Sequence, residues 1–110
     1  MASTAPRWLV PLLRADARAR GPRAVAVWDA GRPWNDVRAA LAAELLSDPA
    51  RARAAIAALR RVAVRRRDAT AAARLLRLEA RAIHRSGRLD EAAAAYEAAG
   101  RRLRAVALPV

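Results

Sequence analysis

The chain has 110 residues, of which 33 are Ala and 22 are Arg, and its formal net charge is +12. The absence of Cys excludes disulfide scaffolds, cysteine–zinc sites, iron–sulfur clusters and thiol catalysis. The single His argues against a multi-histidine metal site and against a Ser-His-Asp triad. We therefore expect a protein without a metal or cofactor.

The composition predicts an all-α fold. Ala, Leu and Arg are among the strongest helix formers, and no segment alternates apolar and polar residues over the length of a strand. The longest stretches without a charge have six residues, whereas a membrane helix needs about 20. The apolar run at residues 8–13 is too short for an export signal and is followed by Arg14. These features predict no membrane association and a cytoplasmic location.

Helix breakers divide the chain into about six helical segments. After a loose tail at residues 1–6, the predicted helices cover residues 7–20, 23–30, 33–47, 49–67, 69–86 and 90–105. Gly21 and Pro22 separate the first helix from the second. Asp48 and Pro49 predict the start of the fourth, because Asp accepts backbone N–H bonds at a helix cap and Pro suits the first helical position. Asp68 caps the fifth helix in the same way.

The last two predicted helices have apolar stripes that can face each other across a short turn. The residues that form this pattern are small or apolar: Leu76, Ala80, Ile83, Gly87, Leu89, Ala92, Tyr96 and Ala99. With this pattern, residues 73–106 resemble one tetratricopeptide repeat (TPR), a 34-residue helix–turn–helix unit. The resemblance implies close helix contact at Ala80 and Ala92, a tight turn at Gly87, and a Tyr96 side chain directed at a following hairpin. Glu79 and Arg104 depart from the pattern, since the family usually has Leu and often has Pro there.

The resemblance also implies a domain organisation, a right-handed stack of antiparallel helical hairpins that forms part of an α-solenoid. Its units would be N-terminal capping helices at 1–32, a degenerate hairpin at 33–67, the TPR-like hairpin at 68–106, and a tail or linker at 107–110. Repeats bury their faces against neighbouring repeats. We therefore expect the chain to be the N-terminal part of a longer array or a truncated open reading frame. We also expect self-association through the last helix. The three Trp residues, Trp8, Trp28 and Trp34, are expected to fill the core of the cap, with ligand binding as the alternative.

The positive charge is concentrated in the middle of the sequence. Residues 51–88 contain 12 Arg but only two acidic residues, Asp68 and Glu79. In the resembled repeat the first helix lines a concave surface, and the positions that match those reaching a bound peptide are Arg74, Arg77, Arg81, His84 and Arg85. An Arg side chain can donate two parallel hydrogen bonds to a carboxylate. The predicted partner is a protein or an acidic, carboxylate-bearing peptide. The alternative is an ordinary solvated face, because GC-rich bacterial genomes favour both Arg and Ala.

Two other functions are weaker. A basic helical protein binds nucleic acid non-specifically at low salt, but the chain has no helix-turn-helix signature, and no aromatic residues alternate with the Arg cluster at residues 60–67. An enzyme is the least favoured class, because the sequence has no Gly-rich phosphate loop and no nucleophile motif. Glu79 falls on an apolar helix face. We expect it to form a structural ion pair with Arg61, Arg65 or Arg102.

Overall fold

The computed structural model describes residues 5–107, so most of the predicted tail at 1–6 and linker at 107–110 lies outside the described residues. The described part contains no β-strand. Its helices are α1 (Val10–Arg14), α2 (Ala17–Asp29), α3 (Trp34–Ser47), α4 (Pro49–Arg65), α5 (Ala69–Arg85) and α6 (Leu89–Ala107). The prediction of an all-α fold with about six helices is confirmed.

The predicted boundary between the first two helices is wrong. Helix α2 continues through Gly21 and Pro22, and the chain breaks earlier, at Ala15 and Asp16. The N–H of Ala19 donates to Asp16 Oδ1 at 2.9 Å, which caps the start of α2. Pro22 cannot donate a backbone hydrogen bond, so it weakens the helix from inside. The cap, and the burial of the C-terminal half of α2 in the core, offset this weakness.

Helix α4 forms the centre of the domain. It begins as predicted, with Pro49 in the first turn and Asp48 Oδ1 accepting a hydrogen bond from the N–H of Arg51 at 3.1 Å. It packs against α1, α2, α3 and α5. Its buried face consists of small and branched side chains: Ala52, Ala55, Ile56, Ala58, Leu59, Val62 and Ala63. The Ala residues bring neighbouring helices close, and the larger residues fill the space between them.

The turns at the two ends of α5 have the same backbone geometry. The N–H of Asp68 donates to the carbonyl of Ala63, and the N–H of Arg88 donates to the carbonyl of Ile83. This six-to-one bond is typical of a helix end that has a left-handed residue just before the donor. That residue is Gly87 (φ 84°) in the second turn, as predicted, and Arg67 (φ 58°) in the first. Helix α4 therefore ends at Arg65, two residues before the predicted end.

Helices α5 and α6 form the expected antiparallel hairpin, because three residues join them and they contact each other extensively. Among the repeat-packing residues, five are buried: Leu76, Ala80, Ile83, Ala92 and Ala99. Leu89 and Tyr96 differ from these, since they expose 61% and 37% of their surface. Helix α5 packs against α3, α4 and α6 together. Only one of its faces is left open to solvent.

Candidate ligand-binding groove

The open face of α5 is basic. Its exposed positions are Arg74, Arg77, Arg81, His84 and Arg85, which are the residues that the sequence predicts as peptide-binding. All the remaining residues from 72 to 83 are buried. The two sides of α5 differ in exposure because α3, α4 and α6 cover the rest of the helix. The predicted binding residues therefore share one accessible surface.

A groove of about 570 Å³ runs along part of this surface. Its floor is α5, and its walls come from α3 on one side and α6 on the other. The lining residues are Trp34, Arg38, Arg74, Arg77, Leu78, Arg81, Tyr96 and Leu103. His84 and Arg85 do not line it. They lie in the last turn of α5, where a positive charge is favoured by the helix dipole.

The groove has four positive charges and no negative one. None of its lining residues is acidic. Within the described part of the chain, Arg38, Arg74, Arg77 and Arg81 form no ion pair, although five other Arg residues do. The Arg74 guanidinium lies over the ring of Trp34, 5.8 Å from its centroid. Four uncompensated guanidinium groups in one concave surface attract anions.

Four of the eight groove residues could not be assigned to this site from the sequence. Trp34 and Arg38 come from α3, and Tyr96 and Leu103 come from α6. Each pair lies on one face of its own helix, at a spacing of four or seven residues. That spacing gives no indication of which other helix the pair will meet. Only the packing of α3 against α5 brings Arg38 beside the predicted Arg residues.

A second cavity, of about 470 Å³, adjoins the groove. It lies among α2, α3, α4 and α5, and it shares Trp34 and Arg74 with the groove. Its other lining residues are Val27, Trp28, Gly31, Arg32, Val37, Leu59, Asp68, Thr70, Ala71 and Leu75. Most of these side chains are apolar. The two spaces therefore differ in chemistry, one cationic and one apolar, and meet at a shared border.

The three Trp residues are partly buried and pack against the core, as the sequence predicts. Trp8 lies beneath the guanidinium of Arg32, which is 4.7 Å from the ring centroid, and lines neither the groove nor the cavity. Trp28 and Trp34 differ from it because they also form walls of the cavity. Trp28 and Trp34 therefore both pack against the core and line the cavity.

Two Glu residues are buried among the described residues, and none of their side-chain oxygens is both buried and without a hydrogen-bond partner. Glu79 pairs with an Arg, as predicted, but the partner is Arg60, whose Nε donates to Glu79 Oε2 at 2.8 Å. Arg60 lies on the side of α4 that meets α5, whereas Arg61 is exposed to solvent. The second buried carboxylate, Glu44, is 5% exposed and has no ion pair or side-chain hydrogen bond within the described part of the chain.

A surface ion pair joins α4 to α6 across one end of α5. The Arg53 guanidinium donates to the Glu91 carboxylate, and Arg88 lies 3.5 Å from the same carboxylate. The hydrogen bond from Arg53 is the main reason that the pKa of Glu91 lies below its ordinary value. Glu91 is in the first turn of α6, where the helix dipole also favours a negative charge.

Comparisons with protein-family models, with curated proteins and with solved structures find no match to the chain. Within residues 5–107, no helix has both the length and the hydropathy that crossing a membrane requires. The same residues contain no group of three or more His, Asp or Glu side chains placed to hold a metal ion. The geometry and charge of the groove are therefore the main indication of function.

Proposed function

We propose that the chain is a non-catalytic scaffold for protein–protein interaction, and that it binds an acidic or carboxylate-bearing peptide in the groove along α5. The observation that carries this proposal is the set of four unpaired Arg residues, Arg38, Arg74, Arg77 and Arg81, around one groove without a carboxylate. Each guanidinium can donate two hydrogen bonds to a carboxylate. The groove volume of about 570 Å³ also falls within the usual range for binding sites.

The proposal includes an arrangement of α3 to α6 as two successive TPR-like hairpins in a right-handed stack. Three observations support it. Helix α5 packs against both helices of the preceding pair, a left-handed Gly87 closes the α5–α6 turn, and six of the eight groove residues lie on α3 or α5, the first helix of each pair. In such a stack the first helices line the concave face, so the Arg residues of the groove lie on that face, while Tyr96 and Leu103 of α6 form the opposite wall.

The test is a comparison of two double variants with equal charge change. Arg77→Glu with Arg81→Glu reverses two groove charges at a spacing of one helical turn. Arg61→Glu with Arg65→Glu reverses two charges at the same spacing on α4, where both side chains are exposed, unpaired and outside the groove. Fluorescence polarisation of a labelled Glu/Ser peptide at about 150 mM salt gives the affinities, because this salt concentration screens distant charges.

The groove variant is expected to bind the peptide at least about tenfold more weakly, because each charge-assisted hydrogen bond contributes about 1.5–3 kcal/mol. The α4 variant is expected to stay within about twofold of the unmodified protein, since its charges lie outside the groove. Circular dichroism confirms that both variants are folded. Equal losses in the two variants, or no binding by the unmodified protein, would contradict the proposal.

Single-stranded nucleic acid is the second candidate, because two aromatic side chains lie on the walls of the basic groove. Trp34 and Tyr96 could stack on bases while the Arg residues bind phosphates. The peptide is favoured over it, since Trp34 packs on the core and Arg74 already covers one face of its ring. An oligothymidylate in the same polarisation assay decides between them. Nucleic acid is the better ligand if it binds more tightly than the acidic peptide at this salt concentration.

A further inference from the structure

We infer that the bound peptide inserts an aromatic side chain into the apolar cavity beside the groove, so that the site recognises an acidic sequence containing an aromatic residue. This inference rests on the proposed function. It goes beyond that function by assigning a second subsite, about 470 Å³ in volume, to a specific kind of side chain.

The groove and the cavity share two of their lining residues. Trp34 and Arg74 line both the groove and the cavity, so a ligand that contacts the groove at these residues is also at the mouth of the cavity. The Arg74 guanidinium is held over Trp34 at this border. It can therefore bind an acidic group while an adjacent side chain of the same peptide enters the cavity.

The walls of the cavity are mainly apolar. Branched side chains from α2, α3, α4 and α5 contribute to the lining: Val27, Val37, Leu59 and Leu75. Trp28 adds a flat indole surface, on which an aromatic ring can stack in an offset or edge-to-face arrangement. An engineered cavity of about 150 Å³ in another protein holds benzene. The volume here accepts a phenyl or indole group.

The charges of the two spaces fix the direction of the ligand. Asp68 is the one acidic residue that lines the cavity, and its Oδ1 accepts a hydrogen bond from the N–H of Ala71 as the cap of α5. Its negative charge partly offsets the two Arg residues of the cavity, Arg32 and Arg74, so the cavity attracts an acidic side chain less than the groove does. The groove has four positive charges and no acid. The acidic residues of the ligand therefore bind in the groove, and the apolar side chain binds in the cavity.

The experiment uses two labelled peptides that differ at one position. Both consist of Glu and Ser, and the central residue is Phe in one and Ala in the other. Further pairs shift the central residue by one to three positions, so that the spacing between subsites is sampled. Polarisation gives the affinities. Emission from Trp28 reports on the cavity, and emission from Trp34 reports on the groove and the cavity together. A Trp8→Phe variant removes the contribution of the Trp that lines neither space.

The Phe peptide is expected to bind about tenfold more tightly than the Ala peptide, because the phenyl group removes apolar surface from water. It is also expected to change the Trp emission more than the Ala peptide does, because the Ala peptide reaches only Trp34 in the groove and the Phe side chain also reaches Trp28 in the cavity. Filling the cavity with Ala71→Leu should remove this preference and keep the affinity for the Ala peptide. Thr70→Leu fills the same cavity from a neighbouring position and replaces Ala71→Leu if that variant does not fold.

The outcomes separate this inference from the function on which it rests. Equal affinity for the Phe and Ala peptides at every spacing overturns the aromatic subsite and leaves acidic-peptide binding intact. Failure of both peptides to bind overturns both proposals. An oligothymidylate that changes the Trp emission, when the Phe peptide does not, would assign the cavity to a nucleic-acid base. A preference for Phe that survives both cavity-filling variants places the aromatic residue elsewhere and also overturns the inference.

Discussion

At the scale of single residues, the two buried carboxylates differ in what surrounds their charge. Glu79 has a partner in Arg60, whereas Glu44 has none among the described residues. Breaking a buried ion pair is destabilising, whereas the Glu44 carboxylate has no pair to break and its oxygens keep contact with solvent. Amide substitutions at the two positions are therefore expected to have different effects on stability.

Glu79→Gln is expected to lower the free energy of unfolding by about 1–3 kcal/mol, because it removes the charge-assisted bond and leaves Arg60 without its counterion. Glu44→Gln is the matched control. It removes a carboxylate that forms no ion pair and whose oxygens keep contact with solvent, so the stability of this variant is expected to be unchanged. Urea unfolding followed by circular dichroism gives both values. An equal loss in the two variants would show that the ion pair has no special role.

Arg67 is a second residue with a clear expected effect, because its φ of 58° is strained for a side chain with a Cβ. Arg67→Gly is expected to raise the stability by about 0.5–1 kcal/mol. Gly87→Ala, at the equivalent position of the next turn (φ 84°), is expected to lower it by about 1–2 kcal/mol. Thermal unfolding measures both. A loss of stability in Arg67→Gly would mean that its side chain contributes more than the strain costs.

The left-handed conformation of Arg67 could not be predicted from the sequence. Gly87 marks its turn by its residue type, and the prediction there is confirmed. Arg67 adopts the same conformation without such a signal, in the turn between α4 and α5, which pack against each other. In the same way, burial of Glu79 predicts an Arg partner, but the choice of Arg60 depends on how two helices are aligned.

At the scale of helices, local capping chemistry predicts most boundaries. Asp48 and Asp68 begin α4 and α5 as expected, since a carboxylate at this position satisfies N–H groups that the helix leaves free. The prediction that a helix ends at Gly21 and Pro22 is wrong, because tertiary packing outweighs the local signal there. A local breaker is overridden when the segment beyond it has buried residues such as Ala24 and Val27, and when an earlier cap, Asp16, is present.

The attachment of α6 to α4 gives a pH dependence. Because Arg53 lowers the pKa of Glu91 in the folded protein, this carboxylate stabilises the fold at a pH above its unfolded value of about 4.3. The stabilisation is lost as the pH falls through the lower, folded pKa. Glu91→Gln is therefore expected to reduce the melting temperature at about pH 6 and to have no effect at about pH 2.

The matched control for this pH dependence is Glu97→Gln, which removes an exposed carboxylate of the same helix that forms no ion pair among the described residues. Its effect on the melting temperature is expected to be small at both pH values. Melting curves followed by circular dichroism test the two variants side by side. A Glu91→Gln effect that persists at about pH 2 would contradict the ion-pair explanation.

At the scale of the whole molecule, the net charge of +12 is less informative than its arrangement. Five Arg residues are paired with carboxylates at the surface or in the helix contacts. The four groove residues have no such partner in the described part of the chain. The sequence predicts three of them, because they share a face of α5. It does not predict the fourth, Arg38, because the packing of α3 on α5 is a tertiary property.

The central claim is that α3 and α5 together form one anion-binding groove, and Arg38 tests it most directly. Arg38→Glu is compared with Arg23→Glu, an exposed and unpaired Arg on α2 that lies outside the groove. Both are titrated with the labelled acidic peptide at about 150 mM salt. The claim predicts at least about a tenfold loss of affinity for Arg38→Glu and less than about a twofold loss for Arg23→Glu. Equal affinities in the two variants would contradict it.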